Sequence, residues 1–384
     1  MPRTREDLLR MNKFKLALLA FMILSGCSKS PDSISSTDQH AVNDQNSIPY
    51  TVEVYANQLN VPWDMAFAED GRIFFTERPG VVRVMKNDKV MAEPVISFQD
   101  PFLSKGEGGL LGIALDPAFA TNHYIYVYQT YKHSGEVRNR VIRLLEKDNK
   151  AKLDQVILAD IPGSDNHNGG RIKFGPDGML YITAGDRYVP SLAQELTTTG
   201  GKILRIAPDG GIPQDNPFPG SPVYSLGHRN PQGLVWQPGT GKLYASEHGQ
   251  AAHDEINLIT SGENYGWPVI EGDREQDGMV KPLIHSGEET WAPSGMTFVT
   301  QGEWQGHLLV ATLRGEQLLK FKVGGKGEIT ATATSYLFKN QYGRLRNVVE
   351  GPDGSLYIMT NNRDGRGDPN HDDDLILRLK PNPK

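Results

Sequence analysis

One pattern recurs six times along this chain and limits what it can fold into. An apolar strand runs into a turn, an aromatic or β-branched strand follows, and a polar loop leads to a further strand. The first copy is Met65–Phe67, the turn Asp70-Gly71, Ile73–Glu77 and Val81–Val84. The second is Gly112–Leu115, Tyr124–Tyr128 and Val141–Leu144. The third is a hairpin over Phe174–Ala184 with the turn Pro176-Asp177-Gly178, followed by Lys202–Ile206. The fourth is Gly233–Trp236, Lys242–Ser246 and Glu255–Ile259, and the fifth is Gly295–Val299, His307–Ala311 and Gln317–Phe321. The sixth is Asn347–Glu350, the turn Asp353-Gly354, Leu356–Thr360 and Leu375–Leu379. Asp-Gly between two apolar runs is a hairpin signal, because glycine supplies the positive φ that such turns need.

A period of roughly 50–60 residues marks units that cannot bury both faces of their small sheets alone. A ring of such sheets solves the problem, so the pattern predicts an all-β, six-bladed β-propeller of four-stranded antiparallel sheets over residues 49–384. Two stacked β-sandwiches are the alternative. The alternating strand Thr51–Tyr55 precedes the first copy and has no partner there. It is expected to complete the last blade, closing the ring and protecting an edge.

Composition agrees with a turn-rich β protein: 41 Gly and 25 Pro in 384 residues. A formal net charge of −6 argues against a nucleic-acid partner, which calls for clustered Lys and Arg. The single cysteine, Cys27, rules out an internal disulfide framework. Its setting explains it. Lys13 and Lys15 precede the apolar run Leu16–Leu24, too short for a comfortable membrane span, and Ser25-Gly26-Cys27 follows. Residues 1–27 therefore read as a signal peptide. Leu24–Cys27 resembles the bacterial lipobox, which implies cleavage before Cys27 and lipidation of its thiol; an ordinary signal peptide with an incidental cysteine is the alternative. Ser28 resembles an outer-membrane sorting residue, giving an exported, periplasmic protein with a lipid anchor. Met11 is a second candidate start. Residues 28–48, rich in Ser, Asp, Asn and Gln, read as a disordered tether.

In a propeller, the loops leading into the innermost strands gather on one face around the central channel. Here those are Lys105–Gly109, Asp165–Arg171, Gly227–Gln232, Trp291–Ser294 and Tyr342–Arg346. They carry the candidate chemistry. His167 sits in a polar, glycine-rich loop and can take a proton from an alcohol near neutral pH; the bland reading is a turn histidine bonded to backbone. Leu226–Leu234 is the densest polar loop. Arg314, Arg344 and Arg346 join it from other blades. Several arginines in an acidic protein suggest a polyanionic ligand, against the plain reading of solvated charge. Ser246–Glu255 and Gly262–Pro268 offer carboxylates and turn carbonyls of the kind a hard cation such as Ca²⁺ takes. His248 and His253 raise zinc, with no third ligand evident. Asp364–Asp368 and Asp372–Asp374 read as a solvated acidic loop, with weak Ca²⁺ binding as the alternative.

Taken together these stretches resemble the glucose/sorbosone dehydrogenase family, the soluble quinoprotein sugar dehydrogenases. The resemblance runs from about Tyr50 to Leu379 and rests on Gly109–Gly112, His167–Arg171, Leu226–Leu234, Asp254–Ile259 and Asn264–Pro268. It implies a six-bladed propeller that uses pyrroloquinoline quinone (PQQ) and Ca²⁺ to oxidise aldoses at C1 to lactones. It makes His167 the general base. Arg229 and Asn230 match residues beside quinone and substrate, and Arg314, Arg344 and Arg346 match cofactor contacts. Gly249 and Gln250 match carbonyls holding the Ca²⁺ that activates the quinone; Glu255 and Tyr265 resemble a further calcium site of the aldose dehydrogenase branch. Glu107 and Asn166 neighbour the substrate and depart from the glucose dehydrogenase branch, which has Gln and Asp there. With its shorter loops, the chain resembles the broader-specificity branch. The resemblance also implies an external electron acceptor, a quinone or a cytochrome. Two other functions stay open at this point: a non-catalytic lipid-anchored propeller binding a sugar or a protein, and a calcium-dependent lactonase, which would need carboxylates converging on a central metal.

Overall fold

In the computed structural model, residues 48–324 and 335–383 are described. The signal peptide and nearly all of the tether, residues 1–47, lie outside the described residues. Among those described, no helix is long and apolar enough to cross a membrane.

Six separate antiparallel sheets carry almost all regular structure. Blade one is Pro62–Phe67, Ile73–Glu77 and Val81–Lys86, its outer position split between Lys89–Val90 and Ile96–Ser97. Blade two, Leu110–Leu115, Tyr124–His133, Glu136–Lys147 and Lys150–Pro162, has the longest strands. Blade three is Ile172–Phe174, Leu180–Ala184, Lys202–Ile206 and Val223–Leu226. Blade four is Pro231–Trp236, Leu243–Glu247, Glu255–Ile259 and Ile284–His285. Blade five is Pro293–Phe298, His307–Thr312, Gln317–Lys322 and Ser335–Leu337. Blade six joins both ends of the described chain: Leu345–Glu350, Leu356–Thr360, Ile376–Pro381 and, outermost, Tyr50–Ala56. The last ladder pairs Thr51 with Lys380 and Val54 with Leu377, so the first strand closes the ring as the sequence predicts.

The first strand of each blade touches the first strand of the next, all the way round and back to blade one. A propeller does this and two stacked sandwiches do not. Every ladder runs within a blade, so what holds blade to blade is mainly apolar packing, and the core divides accordingly. One cluster fills each of the six interfaces: Phe74 against Ile113, Tyr126 against Ile182, Tyr181 against Leu234, Tyr244 against Phe298, Leu318 against Ile358, and Phe75 against Met359 represent them. The recurring turn also has one chemistry. Asp70, Asp177 and Asp353 each accept the N–H two residues on, and the following Gly71, Gly178 and Gly354 have φ of 84°, 75° and 76°.

Candidate active site

The loops leading into the inner strands meet around a cavity of about 500 Å³, as the sequence suggests, and the loops between the second and third strands of the blades join them. Of the expected residues, Glu107, His167, Arg229, Gly249, Gln250, Arg314, Arg344 and Arg346 line the cavity. Asn166, Asn230, Glu255 and Tyr265 do not. Arg78, Gln232, His248, Asp364 and Arg366 line it without having been singled out for that role.

His167 is 4% exposed, on left-handed backbone at φ 55°. Its Nδ1 lies 2.7 Å from Asp186 Oδ1, and Asp186 also accepts the indole N–H of Trp267 at 2.9 Å. An aspartate on one ring nitrogen fixes the tautomer, leaving Nε2 as the acceptor toward the cavity. Tyr188 stacks on the imidazole with centroids 3.8 Å apart. The hairpin of blade three makes this possible: Ile172 pairs with Ile182, so the chain entering and the chain leaving lie side by side. Gly185 completes the approach, since a Cβ there would stand 2.1 Å from the His167 carbonyl oxygen. Gly185→Ala is expected to push the His167 loop away, with a stability loss of about 1–3 kcal/mol and a fall in kcat; thermal melts and steady-state kinetics check both.

Arg229 is set from behind. Its N–H donates to Glu247 Oε2 at 2.9 Å, and Glu247 Oε1 lies 2.9 Å from His228 Nδ1, whose Nε2 faces Ser225 Oγ at 2.8 Å. The guanidinium lies 5.2 Å from the Trp267 ring and 6.0 Å from Tyr188. Asn230 stands behind the cavity wall, where its Oδ1 accepts the Gly169 N–H at 3.0 Å.

The cavity is strongly cationic for a protein of net negative charge: six arginines line it against three carboxylates, Glu107, Asp254 and Asp364. Arg346 is fully buried and packs against Trp63, 5.4 Å from its ring. Burial pushes its guanidinium down to about 9, and the neighbouring guanidiniums of Arg344, Arg78 and Arg171 push the same way against the opposite pull of Asp364; it stays charged at neutral pH. The fork of Arg344 is committed to Asp364, through bonds of 3.0 and 2.8 Å, and reaches the cavity already neutralised. Nε of Arg78, Nε of Arg229 and Nε2 of His248 are buried without a partner. Unpartnered donors around a positive cavity call for an anionic ligand with several oxygens.

Asp254 builds the wall between blades four and five. It accepts the N–H groups of Gly249, Trp291 and Ala292 at 2.9, 2.5 and 2.8 Å. Gly249 is obligatory, because a Cβ would meet the Ala252 carbonyl oxygen at 1.9 Å. Behind this wall, Glu255 is buried beside Glu247, and burial first, then that neighbour, pushes it up to about 8. Asn257 Nδ2 bonds both carboxylates, while its Oδ1 is buried with no partner. The Tyr265 hydroxyl is committed, donating to the Leu258 carbonyl and accepting the Thr260 N–H. His253 lies away from the cavity, stacked on His285 at 5.5 Å, so the two histidines that raised zinc are not brought together there. Among the described residues no cluster of three or more His, Cys, Asp or Glu is arranged to hold a metal.

The acidic stretch Asp364–Asp374 is not simply solvated. Asp373 and Asp374 are buried, and Asp374 accepts N–H groups from Val61, Asn362 and Arg363. The carboxylates fold the loop and carry Arg366 to the cavity mouth. There Arg366 pairs with Glu107 at 2.7 Å. Burial alone would raise Glu107, but His248, Arg366 and the His167 N–H bring it down to about 2. His248 is itself pushed down to about 4 by burial, so at neutral pH Arg366 carries this effect. A carboxyl depressed in the fold contributes stability that is complete above the unfolded value near 4.5 and lost as pH falls toward 2. Glu107→Gln is accordingly expected to flatten the decline in Tm across that window, read by acid melts of variant and parent.

Residues 59–377 match the sequence profile of the family described as glucose/sorbosone dehydrogenase. The chain belongs to that family. Among members of the glucose/sorbosone dehydrogenase family, the aldose sugar dehydrogenase of Escherichia coli is 32% identical, over 82% of this chain and 91% of its own. The quinoprotein glucose dehydrogenase B of Acinetobacter calcoaceticus is 30% identical, over 97% and 98%. The PQQ-bound aldose sugar dehydrogenase of Streptomyces coelicolor superposes with a TM-score of 0.79 at 38% identity, covering 86% of this chain and 98% of that one.

Proposed function

We propose that this protein is a PQQ- and Ca²⁺-dependent aldose sugar dehydrogenase that oxidises the C1 hydroxyl of a pyranose to the lactone. The observation that carries the reading is one cavity holding both an aspartate-oriented histidine and a surplus of arginine charge. Among the family relatives, the Streptomyces coelicolor structure is of a PQQ-bound aldose sugar dehydrogenase. PQQ is a tricarboxylate, so its chemistry suits the unpartnered Nε donors of Arg78 and Arg229 and the buried charge of Arg346. Arg314, exposed at the rim, and Arg344 would contribute at the edges. When bound, PQQ supplies a two-electron acceptor and Ca²⁺ the Lewis acid that polarises it.

The chain's own residues do the rest. His167 Nε2 takes the proton from the sugar C1 hydroxyl, and Asp186 stabilises the imidazolium that forms. Arg229, held by Glu247 and walled by Trp267 and Tyr188, stabilises negative charge as it develops. Asn230 fixes the base loop through Gly169. Gly249 and Gln250 would hold the activating Ca²⁺ through backbone carbonyls. Glu255, with the free Oδ1 of Asn257 beside it, suits a second, structural Ca²⁺; Tyr265, its hydroxyl committed, would serve by its carbonyl. Export with a lipid anchor at Cys27 and delivery of electrons to an external quinone or cytochrome complete the reading.

The test is reconstitution. Apo protein receives PQQ and Ca²⁺, and dye-linked oxidation of aldoses is followed. Turnover that needs both additions is the expected result. Absence of both cofactor uptake and dye reduction rejects the reading in favour of a non-catalytic propeller.

A further inference from the structure

At the mouth of the cavity, distant parts of the chain are joined by one side chain. Arg366 Nη1 donates to Glu107 Oε1 at 2.7 Å and Nη2 to Asn166 Oδ1 at 2.8 Å. Glu107 Oε2 accepts the backbone N–H of His167 at 3.1 Å. A single carboxylate therefore links the arginine to the loop of the base. The arginine is fixed from its own side too, because Asp364 accepts the Arg366 N–H at 2.8 Å while paired to Arg344. The side chains of Arg366 and Glu107 are 54% and 17% exposed. Water screens the arginine's side of this pair, and what the pair adds to stability does not by itself account for an arginine positioned from both ends. Its location does, since both partners line the same cavity as His167. Beside them Lys105 pairs with Asp165 at 2.7 Å, so this stretch of rim carries balanced charge.

We propose that the Arg366–Glu107 pair, seated on Asn166, is a charge lock that sets sugar selectivity: it admits neutral aldoses and disfavours those carrying an ammonium or a carboxylate. The inference rests on the sugar-oxidation reading. While the pair is intact, a charged sugar meets no unmatched opposite charge on this stretch of rim, and must break the pair to find one there. Removing Arg366 leaves a carboxylate facing the substrate. Removing the Glu107 charge leaves a guanidinium there.

The test uses PQQ- and Ca²⁺-loaded wild type, Arg366→Gln, Glu107→Gln and the double variant, with glucose, glucosamine and glucuronate as substrates. Within each variant the ratio of kcat/KM values cancels any inactive fraction. Arg366→Gln is expected to raise glucosamine over glucose about three- to tenfold, and Glu107→Gln to raise glucuronate over glucose by a similar factor. The double variant returns both ratios toward wild type. Calorimetric titration of the two charged sugars into the same proteins without PQQ, read as each variant's change from wild type so that the cavity's own arginine charge cancels, should give the same ordering. Ratios that stay put, or that move the same way in both single variants, overturn the lock. A wild type inactive on all three sugars overturns the oxidation reading itself.

Discussion

Replacing His167 by asparagine is expected to lower kcat for aldose oxidation about 100- to 10,000-fold, the range a positioned general base contributes. Asparagine is the informative choice because His167 sits at φ 55°, where asparagine is among the few residues at ease. The backbone N–H bonded to Glu107 survives, and so does the loop. The loss then reports the missing base rather than a collapsed site. Uptake of PQQ should change little, since the buried Arg346 and the cationic wall are untouched. Asp186→Asn makes a second, different cut. It leaves the imidazole in place but removes the carboxylate charge, 2.7 Å from Nδ1, that stabilises an imidazolium. Its kcat is expected to fall less than that of His167→Asn. Steady-state kinetics across pH, beside spectroscopic PQQ titration, decide this. Full activity in His167→Asn would show that some other group takes the proton.

How far the sequence reaches can be judged from these same residues. The fold is legible because each blade repeats one local rule, a turn between two apolar strands that is Asp-Gly in blades one, three and six, and because Thr51–Tyr55 has no local partner. The lead-in loops are legible as well, since topology alone gathers His167, Arg229 and Arg344–Arg346 on one face. What stays hidden depends on long-range pairing. Asp186 follows the hairpin that the His167 loop enters, yet nothing in their spacing of 19 residues says that they touch; the hairpin register does. Trp267 reaches Asp186 across 81 residues and Arg366 reaches Glu107 across 259. Arg78 escapes notice, and Asp364 reads only as part of a solvated acidic loop, because both lie on loops between second and third strands, which also dip into the cavity. The acidic loop misleads for a related reason: Asp373 and Asp374 look like solvated charge in sequence, but their oxygens are spent on backbone N–H groups and on the side-chain amide of Asn362.

Arg346→Met should weaken PQQ binding about 30- to 1,000-fold, the scale of truncating one partner of a buried charge pair, while leaving the apo protein nearly as stable as before. The two halves follow from one environment. Arg346 is fully buried among other guanidiniums, and its hydrogen bonds go to neutral acceptors: Asn361 Oδ1 and Gln232 Oε1, both at 2.7 Å, and Ser294 Oγ at 3.3 Å. Methionine forfeits those bonds at about 1 kcal/mol each, but also removes a buried charge whose desolvation costs several kcal/mol. The opposing effects are of similar size, so apo Tm moves little. Holo protein loses more, because the charge that would meet a cofactor carboxylate is gone. Arg344→Met is the contrasting case. Its partner, the Asp364 carboxylate, is 3% exposed and would be left buried without its cation, so the apo protein should lose about 3–5 kcal/mol. Thermal melts of both apo variants, with PQQ titration in the presence of Ca²⁺, separate the arginine that holds the fold from the one that waits for a ligand. Equal PQQ affinity in Arg346→Met and the parent would remove Arg346 from the cofactor site.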